Sequence, residues 1–361
     1  MDKELTLSVD SVRLAVKEEL THYLAEQRDY LTSIASELMP VCDALEDYLL
    51  EGGKRLRPLF AYAGYVAAGA TPSRADIRAM ASLELLQACA LIHDDLMDGS
   101  DTRRGKPAIH RHFESLHREG SMAGVPKQFG AAAAVLLGDL ALVWSDHMLH
   151  NSGLAHESLM AALLVHDEMR IELMAGQYLD VREAGEKEFS VERSLRIARY
   201  KSGKYTIERP LHLGAVIARP AKSAHAELVS VLSAYGLPLG EAFQLRDDLL
   251  GIFGDPAVTG KPAGDDLREG KRTVLMAMTL EKASTSMRAE LLRDLGNPTL
   301  TVQRVEELRT IITETGAVAD VEKLIEELAA ESKTAAQSSA IAADAQPFLL
   351  ALADSATRRS H

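Results

Sequence analysis

The sequence contains little cysteine, few aromatic residues and no long uninterrupted apolar run. Its two cysteines, Cys42 and Cys89, lack CxxC spacing, so we predict buried thiols in a reducing compartment rather than a disulfide framework. The N-terminus is charged and has no apolar signal core, and no segment approaches the roughly 20 continuous apolar residues that span a bilayer. These absences predict a cytoplasmic protein without a transmembrane segment.

Positive charge is also scarce relative to negative charge. The chain carries 40 Lys and Arg against 53 Asp and Glu, which gives a formal net charge of −13. Non-specific nucleic-acid binding depends on clustered cations that neutralise phosphates, so we predict no nucleic-acid partner. An anionic substrate would be repelled by the overall field and would therefore need local cations or a metal ion.

The chain is rich in helical periodicity. Apolar residues recur at intervals of three and four in segments such as ADIRAMASLELLQACALI and VQRVEELRTIITETGAVADVEKLIEELAAE. Aromatic residues are only 5%, which disfavours sheet, whereas 47% hydrophobic residues suffice for a sizeable core. We predict a single all-α bundle over residues 1–361, with a helical N-terminal extension at residues 1–25 and a C-terminal surface helix or tail at residues 334–361.

Two acidic motifs follow apolar helical runs. The segment HDDLMD places Asp94, Asp95 and Asp98 close together, and AFQLRDDLLG repeats the pattern with Asp247 and Asp248. Carboxylates four residues apart share a helix face, where like charges destabilise the helix. Oxygen ligands without His or Cys select hard cations, and Mg²⁺ keeps positions open for water and substrate phosphate. Two such helices in a bundle therefore predict a metal-bridged diphosphate site.

Cations and glycine turns lie beside both acidic motifs. The loop GGKRLRP at residues 52–58 lacks Walker A spacing, but its glycines and cations still predict a phosphate contact. Further cations near acidic pairs or glycine turns are Arg103, Arg104, Lys201, Lys261 and Lys271. Their recurrence predicts two anionic groups bound close together.

Taken together, these motifs resemble the trans-isoprenyl diphosphate synthases, the polyprenyl synthetase family. The resemblance covers about residues 45–280 and includes GGKRLRP, DDLMD followed by RRGKP, the pair Lys201-Ser202, and FQLRDDLLGIFGDPAVTGKPAGDDLREGKRT. The last block is most similar to actinobacterial members that make geranylgeranyl or longer diphosphates. The resemblance implies an isoprenoid synthase fold with a central cavity, a homodimer, and trans condensation of isopentenyl diphosphate with an allylic diphosphate.

The resemblance also implies roles for individual residues. The Mg²⁺ ligands, with three ions as the implied number, would be Asp94, Asp95, Asp98, Asp247 and Asp248. Arg103 and Lys201 would complete the catalytic set by adding positive charge at the allylic diphosphate. The substrate-binding residues would be Lys54, Arg57, Gln87, Arg103, Arg104, Lys201, Ser202, Gln244, Lys261 and Lys271. Among them Gln87 stands where the family often has His, and Ser202 and Gln244 would flank the reacting carbon.

One position departs from the family pattern. The second motif of the family usually reads DDxxD, but its last position here is Gly251. Asp247 and Asp248 would then have to suffice, and a weakly catalytic regulatory subunit of a heteromeric synthase stays open as an alternative. Terpene cyclases also ionise allylic diphosphates, but GGKRLRP and the second acidic block provide for a second diphosphate. A helical scaffold protein would leave both motifs unexplained.

The residues upstream of Asp94 predict the length of the product. Each helical residue rises about 1.5 Å, so Leu86, Cys89 and Ala90 lie one to two turns before the motif. Family members that stop at fifteen carbons commonly have bulky aromatic residues there. Because Cys89 and Ala90 are small, we predict geranylgeranyl diphosphate, with a longer polyprenyl product as the alternative. Simple core packing would explain apolar residues at these positions equally well.

Overall fold

The computed structural model describes residues 8–186, 188–255 and 264–357. Nearly all of these residues are helical, which confirms the predicted all-α class. The chain divides into two compact units: residues 1–164 with 210–226 form the first, and residues 165–209 with 227–361 form the second. Each unit is therefore assembled from segments that are distant in sequence.

The first unit carries the GGKRLRP loop and the first acidic motif. Its helices are α1 (Val9–Ile34), α2 (Met39–Leu50), α3 (Leu56–Ala67), α4 (Arg74–Asp98), α5 (Ile109–Glu119), α6 (Pro126–His150), the start of α7 (His156–Glu183) and most of α9 (Arg209–Ala218). A two-stranded antiparallel hairpin follows α4 and consists of β1 (Thr102–Arg103) and β2 (Lys106–Pro107). The hairpin thus contains most of the RRGKP segment.

Helix α4 is delimited at both ends by its own sequence. At its N-terminus the Asp76 carboxylate accepts hydrogen bonds from the Ser73 backbone N–H and from the Ser73 hydroxyl, both at 2.7 Å. At its C-terminus Gly99 has a φ of 69°, the left-handed conformation that glycine adopts without steric cost. The helix therefore ends directly after Asp98, and the acidic motif occupies its C-terminal end.

Helices α4 and α6 pack closely against each other. A Cβ added at Gly138 of α6 would lie only 2.1 Å from Nε2 of His93, so glycine leaves room for that ring. Farther along the same pair, the Ser145 hydroxyl donates to the carbonyl of Ser82 at 2.8 Å. Small residues on α6 thus allow it to approach the helix that carries the first acidic motif.

The second unit carries the second acidic motif on a long helix. Its elements are the rest of α7, α8 (Val191–Ile197), a π-helix (Ala198–Glu208), most of α10 (Lys222–Phe253), α11 (Asp265–Glu269), α12 (Val274–Lys282), α13 (Thr285–Asp294), α14 (Val302–Glu314), α15 (Ala317–Ala335) and α16 (Gln346–Thr357). Short 3₁₀ turns occur at Ser36–Leu38 in the first unit and at Ala343–Ala345 in the second. Apolar residues of α10 such as Leu245 and Ile252 share one buried core with Leu275 and Leu308.

The first and last helices of the described residues each use an apolar face for packing. Helix α1 continues well past residue 25, and its residues Val16 and Leu20 are fully buried where it packs on α2 and α4. At the other end Leu349 of α16 is buried, and its carbonyl accepts a hydrogen bond from the Tyr235 hydroxyl at 2.8 Å. Both helices thus contribute apolar side chains to the buried core of the described residues.

Among the described residues, one helix is long and apolar enough to cross a membrane by length and composition. This helix is α6, and 39% of its most apolar window is buried in the structure. Asp139 interrupts its apolar sequence, and the side chain of Asp139 is 62% exposed. A core helix of a soluble protein passes the same test, so this feature is weak evidence for a membrane span.

Candidate active site

The first acidic motif lies on a half-exposed stripe of α4. The partly exposed residues on this face, spaced by three or four positions, are Gln87, Ala90, Asp94 and Asp98. Asp95, in contrast, is only 1% exposed. One face of α4 therefore combines two predicted metal ligands with a predicted substrate contact and a small apolar residue.

Asp95 is buried because it pairs with Arg103. The Arg103 Nε donates to the two Asp95 carboxylate oxygens at 3.0 and 3.1 Å, and Nη2 also donates to Oδ1. The same Nη2 lies 3.9 Å from Oδ2 of Asp94. Burial alone would lower the pKa of Arg103, but the hydrogen bonds and charge of Asp95 outweigh burial and raise it. Arg103 thus remains charged and offsets the mutual repulsion of the crowded aspartates.

A tight hairpin brings Arg103 back to the end of α4. The turn residues Arg104 and Gly105 have φ values of 52° and 75°, the pattern of a type I′ turn, which reverses the chain in two residues. Arg104 then donates from Nη1 to the carbonyls of Tyr48 at 3.2 Å and Glu51 at 3.3 Å. The two adjacent arginines therefore have different partners, one at the acidic motif and the other at the end of α2.

The GGKRLRP loop uses its cations in two ways. Arg55 is buried and pairs with Glu84, with 2.7 Å between Nη1 and Oε2. Lys54 is exposed and Arg57 is partly exposed. Lys54 and Arg57 are therefore the loop cations that reach the surface, as an anion-binding role requires, whereas Arg55 has a structural role that the motif alone does not reveal.

A cavity of about 340 Å³ lies where the glycine loop, α2 and the hairpin meet. Its lining includes Tyr48, Gly52, Arg103, Arg104 and Lys106. The Arg104 guanidinium lies 5.7 Å from the centroid of the Tyr48 ring. The structure thus brings Arg104 beside the glycine loop. The cavity lining adds Tyr48 and Lys106, which the sequence analysis did not single out.

The second acidic motif is partly buried in the second unit. Asp248 is 5% exposed, and its Oδ1 accepts a hydrogen bond from Nε2 of Gln244 at 2.8 Å. Burial raises the pKa of Asp248 to about 8, against the effect of the Gln244 hydrogen bond and together with the negative charges of Asp266 and Asp247. Because a cation favours the ionised carboxylate, this motif is suited to bind one.

Gly251 does not leave a gap in the second motif. A Cβ added at Gly251 would lie 2.0 Å from Oδ2 and 2.4 Å from Cγ of Asp266, so that carboxylate occupies the space where a side chain would begin. Gly251 follows Asp247 by four residues and shares its helix face. Nζ of Lys271 lies 3.7 Å from Oδ1 of Asp266. An acidic group therefore stands beside the last position of the motif, and α11 supplies it instead of α10.

Lys201 and Ser202 lie on a π-helix. The segment Ala198–Glu208 forms this element, and π-helical turns are frequent at functional sites. Nζ of Lys201 lies 2.6 Å from Oδ2 of Asp180 on α7. Sequence analysis missed Asp180, because it begins a charged run at residues 180–188 that resembles an ordinary solvated helix face. Only its spacing of four from a helical glycine, Gly176, could have indicated a packed face.

The predicted site residues are divided between the two units. The first unit holds Lys54, Arg57, Gln87, Asp94, Asp95, Asp98, Arg103 and Arg104, and the second holds Lys201, Ser202, Gln244, Asp247, Asp248 and Lys271. Lys261 lies outside the described residues. Within the described ranges, no three Asp, Glu, His or Cys side chains form a cluster that could hold a metal by themselves. Small carboxylate groups fit a cation such as Mg²⁺, which takes its other ligands from water and substrate phosphate.

The predicted chain-length positions differ in exposure. Leu86 and Cys89 are 0% exposed, whereas Ala90 lies on the half-exposed stripe. Cys89 Sγ lies 3.8 Å from Nδ1 of His93, the ring that packs against Gly138 of α6. Burial raises the pKa of Cys89 to about 12, so the thiol stays neutral. Ala90 is therefore the position of the three that shares the partly exposed face of the predicted metal ligands Asp94 and Asp98.

Known proteins are similar to this chain in sequence and in structure. A family described as polyprenyl synthetase matches residues 39–312. A geranylgeranyl pyrophosphate synthase from Corynebacterium glutamicum, complexed with isoprenyl diphosphate and magnesium, has a similar crystal structure with a TM-score of 0.93, 40% identity and coverage of 98% of this chain and 99% of that chain. A geranylfarnesyl diphosphate synthase from Aeropyrum pernix is 34% identical over 271 residues, or 74% of this chain and 77% of the relative. A geranylgeranyl diphosphate synthase from Saccharolobus solfataricus is 30% identical over 263 residues, or 72% and 73%.

Proposed function

Because the chain belongs to the polyprenyl synthetase family and has the isoprenoid synthase fold, we propose that it joins isopentenyl diphosphate to an allylic diphosphate. The allylic substrates are dimethylallyl, geranyl and farnesyl diphosphate, the main product is trans-geranylgeranyl diphosphate, and diphosphate is released. The observation that carries this proposal is the pair Arg103 and Arg104, one at the first acidic motif and the other beside the glycine loop. Two substrates with a diphosphate each need two cationic sites of this kind.

The cationic residues have distinct tasks in this reaction. Arg103 and Lys201 stabilise the negative charge that accumulates on the leaving allylic diphosphate as its C–O bond breaks. Lys54, Arg57 and Arg104 bind isopentenyl diphosphate and orient its double bond toward the allylic cation. The new C–C bond then forms, the adjacent carbon loses a proton, and the departing diphosphate accepts that proton.

The remaining polar residues position the reacting groups. Gln87 lies on the same stripe of α4 as Asp94 and contributes a hydrogen bond to the isopentenyl diphosphate. Ser202 and Gln244 flank the reacting carbon, and Gln244 is itself oriented by its hydrogen bond to Asp248. Lys271 adds positive charge beside the second acidic motif, and Lys261 is proposed for the same task from the sequence alone.

The metal proposed for this reaction is Mg²⁺, with three ions at the allylic diphosphate. The proposed ligands are Asp94, Asp95, Asp98, Asp247 and Asp248, with Asp95 and Asp248 assisting. The carboxylate-only donor set supports this choice of cation, as does the C. glutamicum relative, whose complex contains magnesium. When bound, Mg²⁺ supplies Lewis-acid stabilisation of the leaving diphosphate.

The proposed product length rests on Ala90. A small side chain on the stripe of Asp94 leaves room for a growing apolar tail, and each five-carbon unit buried there gains on the order of 4 kcal/mol at about 0.8 kcal/mol per carbon group. A longer product is the second candidate, since the A. pernix relative is a geranylfarnesyl diphosphate synthase.

Ala90→Phe tests this assignment of the tail. A phenyl ring on the stripe should stop growth at fifteen carbons, and chromatography of the products would show the shift from twenty. Ala330→Phe, on an exposed surface of α15, is the matched control and should leave the product unchanged. An unaltered product from Ala90→Phe would contradict the placement of the tail along this face of α4.

The reaction itself is tested by incubating the purified chain with Mg²⁺, labelled isopentenyl diphosphate and, separately, the five-, ten- and fifteen-carbon allylic diphosphates. Twenty-carbon product that disappears on chelation with EDTA would support the full proposal. Longer product would retain the chemistry but overturn the chain length. Folded protein that elongates nothing until a partner chain is added would instead favour the regulatory-subunit alternative.

We also propose that the enzyme works as a cytoplasmic homodimer. On α7 the apolar residues Leu164, Ile171 and Tyr178 recur every seven positions and are 72%, 70% and 69% exposed. On α6, Leu136 and Val143 have the same spacing and are 67% and 61% exposed. Heptad spacing of exposed apolar residues suits helix pairing with a second copy. Light scattering after size exclusion should give twice the chain mass, and a monomer would contradict the proposal.

A further inference from the structure

One face of α7 lies against the π-helix. Two acidic residues and a glycine of this face contact it. Glu172, Gly176 and Asp180 are spaced by four positions and therefore share a helix face. Oε1 of Glu172 lies 2.5 Å from Nζ of Lys204, and Oδ2 of Asp180 lies 2.6 Å from Nζ of Lys201. Two ion pairs to the π-helix thus flank the glycine along α7.

Between these ion pairs the two backbones are in direct contact. A Cβ added at Gly176 would lie 2.3 Å from N and 2.7 Å from Cα of Lys201, and 2.7 Å from the carbonyl carbon of Tyr200. Those atoms belong to the main chain, so they cannot move aside as the end of a flexible side chain could. Gly176 therefore allows α7 to contact the peptide that precedes Lys201.

A second helix makes the same kind of contact with the π-helix. A Cβ added at Gly240 of α10 would lie 2.5 Å from Cα of Gly203, and the neighbouring Glu241 pairs with Arg199 at 2.5 Å between Oε1 and Nε. Gly203 is two positions from Lys201, which places them on roughly opposite sides of a helix. Contacts with glycines on α7 and α10 therefore hold the π-helix from both sides.

We propose that Gly176 is a positioning residue for the reaction, because its bare Cα lets α7 hold the backbone and the ammonium group of Lys201 at the same time. This inference rests on the proposed function, in which Lys201 and Ser202 act on the allylic substrate. Asp180 holds the Lys201 ammonium group through their ion pair, while contact at Gly176 fixes the position of the peptide that carries Lys201 and Ser202. A methyl group at position 176 would separate the two elements and displace both residues.

Gly176 acts through the backbone position that it allows and carries no charged or polar side chain. Gly176→Ala removes no polar group and improves intrinsic helix propensity. A loss of allylic affinity in this variant would therefore come from displacement of the π-helix. Preorganised groups lose much of their value when they move by about 1 Å.

The test compares Gly176→Ala with Gly130→Ala. Gly130 lies in the α5–α6 contact of the first unit, where an added Cβ would lie 2.1 Å from the carbonyl oxygen of His110, so the two clashes are similar in severity. Binding of geranyl S-thiolodiphosphate, an allylic analogue that does not ionise readily, should weaken by about tenfold or more in Gly176→Ala, the scale of one charge-assisted hydrogen bond. The KM for isopentenyl diphosphate should change by no more than about twofold. Gly130→Ala should lose comparable stability but retain the affinity for the analogue.

Hydrogen exchange of the peptide spanning residues 198–208 gives a readout independent of catalysis. Exchange there should accelerate in Gly176→Ala and stay at the wild-type rate in Gly130→Ala. If Gly176→Ala does not fold, Asp180→Asn, which keeps the side-chain shape, should accelerate exchange in the same peptide. Unchanged exchange in the folded variants, or equal loss of analogue affinity in both glycine variants, would overturn the inference. A wild-type chain that makes no product would overturn the proposed function, while the exchange experiment would still decide the role of Gly176.

Discussion

The two acidic motifs differ in the partners of their buried carboxylates. In the first motif Arg103 follows Asp95 by eight residues and donates to both of its carboxylate oxygens. In the second, Asp248 is hydrogen-bonded by the neutral Gln244, and the nearby charges of Asp266 and Asp247 add to the effect of burial on its pKa. The buried carboxylate of the first motif is therefore hydrogen-bonded by a cation, whereas that of the second has a neutral partner, and the charge of Lys271 offsets the effect of burial only in part.

Two similar acidic sequences can therefore differ in how easily their buried carboxylates ionise. A buried carboxylate paired with arginine is already stabilised in its ionised form, so the α4 motif can keep its shape without metal. Ionisation of a buried carboxylate among other acids is unfavourable in free energy, and a bound cation makes it more favourable. We expect the second motif to respond more strongly to Mg²⁺ than the first.

The largest expected effect is on turnover. Asp94→Ala and Asp247→Ala each remove one proposed metal ligand, and each should lower kcat by about a thousandfold or more, on the order of 4 kcal/mol of transition-state stabilisation. Steady-state rates across a Mg²⁺ titration would measure this, with Asp10→Ala, exposed at the start of α1, as control. Normal turnover in either aspartate variant would remove that motif from the reaction.

Next in size is the effect of removing the counter-charge of the first motif. Arg103→Gln leaves the carboxylate of Asp95 buried without its cation, so the free energy of unfolding should fall by about 3 kcal/mol. Urea denaturation would measure the loss, and Arg104→Gln, a change to the exposed neighbouring arginine, should cost far less. If Arg103→Gln unfolds at the wild-type urea concentration, the ion pair does not stabilise the first motif. Adding Asp95→Asn to Arg103→Gln should recover part of the stability.

A smaller loss is expected at the last position of the second motif. Gly251→Asp recreates the usual family sequence, but its Cβ would clash with the Asp266 carboxylate, so it should reduce stability by about 1–3 kcal/mol and lower activity. The double variant Gly251→Asp with Asp266→Gly exchanges the positions of the two groups and should recover part of both. A Gly251→Asp enzyme that is faster than wild type would show that the motif lacks an acid and would favour the regulatory-subunit alternative.

The smallest expected effect is on the pH dependence of stability without metal. The pKa of Asp248 is raised from 3.8 to about 8, so the unfolded chain ionises this group more readily, and folding becomes less favourable as the pH rises between those values. Asp248→Asn should remove this loss, which is at most about 1.4 kcal/mol for each pH unit between those two values. Thermal unfolding in EDTA would measure it. Equal curves for variant and wild type at pH 9 would contradict the buried charge.

Part of the site could be predicted because its signals are local. Helical periodicity predicted the all-α class, and the aspartate pairs predicted an acidic end on α4, where spacing alone puts Asp94 and Asp98 on one face. The hairpin turn at Arg104 and Gly105 also depends on neighbouring residues. In each of these cases the interacting groups lie within about ten positions of one another.

Other features could not be predicted because they depend on distant contacts. Arg55 looks equivalent to Lys54 in the GGKRLRP loop, yet Glu84 draws it into the core. Gly251 looks like a lost ligand until Asp266 is seen beside it. Asp180 belongs to none of the predicted motifs, yet its ion pair with Lys201 joins α7 to the π-helix.

By itself the sequence determined the helical class, the family and the chemical character of the two acidic motifs, since these follow from residue types at short, regular spacings. Only the tertiary structure decided which cation pairs with which carboxylate and which acid lies beside Gly251. It also decided which backbone atoms leave no room for a Cβ at Gly176. Those choices arise from contacts between backbones and side chains far apart in the chain, and such contacts leave no periodic pattern along it.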